Sequence, residues 1–291
     1  MMLLTTGASL MHTAERLEAF FNDVLLAQLT QKDKHTLYPL NSWFLKGLNY
    51  SKSGSMVLAK YYFEQGERYE QTLPKGTLLW RAVQNEYLPK KAYYLYKTGE
   101  RDFAEKMLHD VMLNMQTMEQ QGFEYLVFSR IQQYHNLVRM YFAYGQTDEA
   151  IRLSAEVVAF LLKGHSEKLI DLNVPLVQHP EKYELFKYLF ICQILFETLN
   201  VMIAFLKEPQ LTIKVNELLQ VILPAAEQYQ PFSDDADLTK QTILLFESFY
   251  AGNYKLFCEK ADLFAVNNPV QYIQAKHCLE LYTELCRKTY M

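Results

Sequence analysis

Residues 99–122 read GERDFAEKMLHDVMLNMQTMEQQG, a glycine-bounded run with a helical apolar period. Phe103, Ala104, Met107, Leu108, Val111, Met115 and Met118 recur every three or four positions, which sets them on one stripe of a helix over about residues 100–121. Gly122 supplies its stop, and Gly99 closes the helix before it. Nowhere does apolar–polar alternation persist long enough to indicate a sheet.

Residues 123–144 are predicted to form the next helix, with Leu126, Ile131, Tyr134, Leu137, Val138 and Tyr141 inward and Gly145 at its end. Thr147 is the predicted N-cap of the helix that follows, and Asp148 and Glu149 complement its dipole. Ala150, Ile151, Leu153, Val157, Val158 and Leu161 form its core stripe. Turns of two or three residues between long helices force antiparallel neighbours. The same reading predicts helices over 13–29, after Pro39, over 55–71 and over 77–98 with a kink at Pro89. Further helices are predicted over 181–206, 212–223, 238–251, 254–266 and 270–288, eleven or twelve in all. Between them residues 164–180, holding Pro175 and Pro180, mark a long loop or boundary. This divides an N-terminal helical region (1–170) from a continuous C-terminal one (171–291).

Composition narrows the function classes. Half of the 291 residues are hydrophobic and 21% are charged, a folding composition. Only ten glycines occur, and neither G-x-G-x-x-G nor a P-loop is present, which excludes the nucleotide-binding α/β folds. A net charge of −4 argues against nonspecific nucleic-acid binding. Cys192, Cys258, Cys278 and Cys286 form no C-x-x-C and read as buried thiols in a reducing compartment. The most apolar stretch, 185–206, is punctuated by Lys187, Glu197 and Lys207 and reads as a buried helix, not a membrane span. A soluble, cytoplasmic protein is expected.

Repetition is the most informative feature. Tyr61-Tyr62-Phe63 before Gly66, Tyr93-Tyr94-Leu95-Tyr96 before Gly99, Tyr141-Phe142-Ala143-Tyr144 before Gly145 and Phe249-Tyr250 before Gly252 each put aromatics near a helix end, then a glycine, then a new helix. Ala104 and Ala150 follow their glycines by five residues. In these residues the chain resembles the tetratricopeptide-repeat family, over roughly 55–162 and again over 239–269, where Pro269 takes the place of the family's closing proline. Lys91 and Ser154 stand where that pattern wants large apolar residues, Phe257 where it wants a small one, and Pro74 cuts short the partner helix after Gly66.

The resemblance implies an all-α, right-handed α-solenoid of antiparallel hairpins with a concave binding groove. It would turn Lys90, Tyr93, Tyr96 and Lys97 of one repeat, and Gln132, His135, Asn136 and Arg139 of the next, toward that groove. The family often uses such positions to hold peptide backbones or carboxylates. From Arg68 to Arg101 seven Lys or Arg face three Glu, which favours an acidic or C-terminal carboxylate partner.

No H-E-x-x-H, G-x-S-x-G or kinase motif is present, and no metal or cofactor is expected. Glu105 and His109 read as a surface helix pair, and His277 and Cys278 as surface and core respectively. Met107, Met112, Met115 and Met118 read as core packing. Asp234, Asp235 and Asp237 read as solvating a helix start. The expectation is a scaffold or adaptor for a protein or peptide, free of catalysis. A ligand- or peptide-sensing regulator, an enzyme with an unfamiliar helical site and a structural homo-oligomer subunit stand as alternatives.

Overall fold

The computed structural model describes residues 22–164, 169, 180–207, 209–231, 234–267 and 273–290. Among these lie eleven α-helices, one π-helical turn at Asn22–Leu26 and no strand, so the chain is all-α. The helices are α1 (Gln31–Lys52), α2 (Met56–Glu70), α3 (Leu78–Thr98), α4 (Arg101–Glu119), α5 (Leu126–Ala143) and α6 (Thr147–Lys163), then α7 (Pro180–Phe205), α8 (Gln210–Gln228), α9 (Asp234–Tyr250), α10 (Tyr254–Asn267) and α11 (Ile273–Thr289). Two compact units result, one of the described residues up to Leu137 and one of those from Val138 on. The helix expected at 13–29 falls mostly, and the segment 164–180 almost wholly, outside the described residues.

In the first unit α1 packs on α2 and on α3, and α3 packs on α4. The sequence suggests a start for α1 after Pro39, but the helix begins at Gln31 and runs through that proline. A capping box explains the early start: the Thr30 hydroxyl accepts from the Asp33 N–H at 3.1 Å while Asp33 Oδ2 accepts from the Thr30 N–H at 3.2 Å. One missing N–H at Pro39 does not undo a 22-residue helix anchored this way.

Where α1 crosses α2 the two helices present the same pattern, Phe44-x-x-Gly47 and Phe63-x-x-Gly66. A methyl on Gly47 would meet the Phe63 ring at 2.8–3.0 Å. One on Gly66 would meet Phe44 Cδ1 and Cζ at 2.8 Å and Cε1 closer still. Phe44 and Phe63 are both fully buried and stack at 6.5 Å. Gly66 is therefore a contact glycine inside α2 and does not end a helix, contrary to the expectation drawn from its aromatic prefix.

The turn glycines are Gly54, Gly99, Gly122, Gly145 and Gly252. All have positive φ, and after each one the next residue donates to the carbonyl five positions back, as Glu100 does to Leu95 at 2.9 Å. At Gly99, with φ 84°, a side chain would be strained. In α4, Ala104, Leu108, Val111, Met112, Met115 and Met118 are buried, but Phe103, expected inward, is 62% exposed. One step before Ala104 it sits about 100° around the helix from the stripe's centre. Across the Gly122 turn, Arg130 and Glu119 form a two-pronged ion pair at 2.7 Å, with side chains only 1% and 2% exposed.

In the second unit α6 is buried along most of its length. Its N-cap is Gln146, not Thr147, because Gln146 closes the Gly145 turn onto Tyr141 O at 2.8 Å and leaves Thr147 as the first helical residue. Ser154 is fully buried and shares a 2.8 Å hydrogen bond with Thr198 of α7, so a polar pair fills a place that the repeat pattern gives to an apolar residue. α7 is apolar on nearly every side and is covered by α6, α8, α9 and α11. Its segment Phe186–Phe205 is long and apolar enough to cross a membrane, yet it is mostly buried within this unit. α8 continues through Pro224, past the stop expected at residue 223. Phe246 and Phe249 of α9, Phe257 of α10 and Tyr282 of α11 form a fully buried aromatic cluster with ring centroids 5.2–5.6 Å apart across helices. The Tyr282 hydroxyl donates to Leu199 O on α7 at 3.1 Å.

Candidate functional site

α3 carries four of the residues expected at a groove, and they divide into two pairs of different character. Lys90 is ion-paired with Glu86 one turn back and is largely buried. Lys97 is exposed, and its ammonium lies over the rings of both Tyr93 (5.6 Å) and Tyr96 (5.5 Å), which are themselves 6.1 Å apart. Here the structure does bring sequence-selected residues together, in a cation–aromatic triad on the surface.

The α5 residues are placed differently. Gln132 and Asn136 are half-buried, and Asn136 donates to Gln133 at 3.0 Å within its own helix. His135 is 1% exposed and so lies in the interior, not on an open face. Arg139 belongs to the second unit, where both prongs of its guanidinium meet Glu197 of α7 at 2.7 Å. A fork already matched to a carboxylate is occupied, so Arg139 is not available to a ligand without breaking that pair.

The basic excess between Arg68 and Arg101 is partly answered from inside. Lys91 reaches Glu67 at 2.7 Å and lies over Phe63 (5.2 Å) and Tyr94 (5.1 Å). A lysine can stand at an apolar position of the repeat pattern because its stem packs and its charge is met by a carboxylate and two ring faces. Glu67 also accepts from the Tyr87 hydroxyl at 2.7 Å, and Glu70 accepts from Trp80 Nε1 at 2.7 Å and Gln84 at 2.5 Å. Burial, reinforced by Glu67, pushes the Tyr87 phenol well above its ordinary range. These carboxylates therefore face α3.

A second cluster went unseen in the sequence. Lys46 of α1 lies 5.4 Å over the Tyr62 ring, Tyr50 stacks on Tyr62 at 5.4 Å and 5°, and Tyr61 meets Tyr62 edge-on at 5.3 Å. Tyr61-Tyr62 is visible as a repeat string, but Lys46 and Tyr50 come from the preceding helix, and only the α1–α2 crossing unites them.

In the second unit a cavity of about 300 Å3 is lined by Leu162, Lys163, Glu184, Lys187, Gln228, Tyr229 and Gln230. Glu184 accepts from Lys187 at 2.7 Å and from the Tyr229 hydroxyl at 2.6 Å, so its carboxylate is held by the protein itself. Glu105 and His109 stand 3.8 Å apart on the surface. Among the described residues no group of three His, Cys, Asp or Glu could hold a metal ion. Comparison of the chain with protein-family models, curated proteins and solved structures finds no match.

Proposed function

We propose that the chain is a cytoplasmic, tetratricopeptide-like scaffold, a right-handed α-solenoid of antiparallel hairpins, that holds a peptide or protein partner without catalysing a reaction. What supports the reading is the packing order within each unit. In the first unit α1 packs on α2, α2 on α3 and α3 on α4, in the second α6 packs on α7 and each later helix on the next, and α1 also packs on α3, α6 on α8 and α7 on α9. That two-apart contact is what stacking of hairpins produces. Ala104 and Ala150, at the small-residue positions of the repeat pattern, are both fully buried. The contact of α11 with α7 adds bundle-like closure to the second unit.

The binding residues of this reading are Tyr93, Tyr96 and Lys97, with Gln132 and Asn136 of the same unit. Tyrosines beside an exposed ammonium are suited to anchoring an acidic segment. The test is a cross-linking pull-down that compares the natural chain with a Tyr93→Ala/Lys97→Glu/Asn136→Ala variant of unchanged melting temperature. A partner captured by the natural chain and lost with the variant is expected. Equal recovery of the same partner by both would remove these residues from the interface.

A further inference from the structure

We infer that the outer face of the α1–α2 hairpin, centred on Lys46, Tyr50, Tyr61 and Tyr62, docks a short acidic peptide segment of a partner protein. The inference rests on reading the chain as a binding module but uses helices other than α3. Six of the fourteen large hydrophobic side chains exposed among the described residues lie on this one hairpin, including Val57 at 84%, Tyr61 at 53% and Leu45 at 46%. Tyrosine rings held by their neighbours offer contact area at small entropic cost, and an ammonium among them adds charge selection.

Charge selects the occupant. Residues 31–70 hold six Lys or Arg and four Asp or Glu, in a chain of net charge −4. Three of the four acids are turned away, Asp33 into the α1 cap and Glu67 and Glu70 toward α3, while Glu64 pairs with Lys60 within α2 at 3.8 Å. Lys46, Lys52 and Arg68 are exposed and have no carboxylate at ion-pair distance among the described residues, which leaves them open to an acidic ligand. Because the positive excess is local, a short acidic segment fits it. A nucleic-acid strand running past the hairpin meets a net negative chain.

The test is fluorescence anisotropy on the full chain with a labelled twelve-residue peptide of alternating Glu and Pro. A Lys–Pro peptide and a twelve-nucleotide oligo-dT of equal length serve as rivals. The Glu–Pro peptide is expected to bind, with affinity falling as salt rises. Lys46→Glu/Tyr61→Ala, both exposed positions, should weaken it at least tenfold without altering the melting temperature, while Tyr93→Ala/Lys97→Glu leaves it within twofold. No binding, tighter binding of oligo-dT, or unchanged affinity in the hairpin variant would overturn the inference. Loss in the α3 variant with the hairpin variant unaffected would overturn it too, and leave the α3 surface standing.

Discussion

Gly66→Ala is the sharpest test of how α1 and α2 are held together. On an ordinary helix this change is favourable by about 1 kcal/mol, because alanine is the better helix former. Here the added methyl would stand 2.8 Å from two carbons of the Phe44 ring and closer to a third. Carbon–carbon contacts rest at about 3.5–4.0 Å, so the ring must retreat by at least ~0.7 Å. It has nowhere to go: Phe44 is fully buried, with Tyr87 at 4.7 Å and Phe63 at 6.5 Å. Overpacking of this kind costs about 1–3 kcal/mol, and the upper end applies where backbone faces an immobile ring. Subtracting the propensity gain leaves a net loss of about 1–2 kcal/mol, or a fall in Tm of about 4–8 °C for a unit of this size. Trp43 and Trp80 are the two tryptophans of the chain and both lie in the unit containing Gly66, so fluorescence excited selectively at tryptophan reports that unit alone. Gly47→Ala, with contacts of 2.8–3.0 Å, should be milder. Adding Phe44→Leu to Gly66→Ala should recover about 1 kcal/mol of the summed losses, as expected of residues in contact. A Gly66→Ala protein that melts at or above the natural temperature would show that the crossing is looser than described and refute the reasoning.

Three further outcomes are expected. Ser154→Leu, which would place a large apolar residue where the repeat pattern wants one, should destabilise the second unit by about 3 kcal/mol, because it overpacks a fully buried site and strips Thr198 of its partner; a melting temperature equal to the natural chain's would refute it. Burial pushes the Glu119 carboxyl up to about 7 although Arg130 pulls it down, so this group's contribution is full below its ordinary value of 4.5 and is lost as pH rises toward 7. The urea midpoint should fall across that window more in the natural chain than in Glu119→Gln, and parallel curves would contradict the assignment. All four cysteines are buried thiols outside any disulfide, and burial pushes the Cys278 thiol up, so a thiol reagent should label them at the rate of unfolding and all at once in denaturant; fast labelling of the folded chain would contradict the packing of α7, α10 and α11.

Helix positions were legible because turn glycines and 3.6-residue stripes are local. Arg101–Glu119 and Tyr254–Asn267 lie within a residue or two of their expected bounds. What escaped depends on a second helix. Gly66 carries an aromatic prefix much like that of Gly99, yet one is a contact and the other a turn, and it is Phe44, on another helix, that sets Gly66 apart. The early start of α1 turns on a side-chain cap that outweighs Pro39. Of the residues selected for binding, the cation–aromatic triad on α3 lies within two turns of one helix and could be read along the chain. The burial of His135 and the occupation of Arg139 by Glu197, fifty-eight positions away, could not.

The paired Phe-x-x-Gly motifs of α1 and α2 also bear on how such a sequence can drift. Each ring is seated on the other helix's glycine, so neither glycine can acquire a side chain unless the opposite phenylalanine shrinks first. Positions 44 and 66 should therefore change in concert in descendants of this chain, and likewise 47 and 63. The hairpin passes its geometry on through two linked pairs of positions, and a lineage that altered one member alone would first have to survive with a strained or hollow crossing.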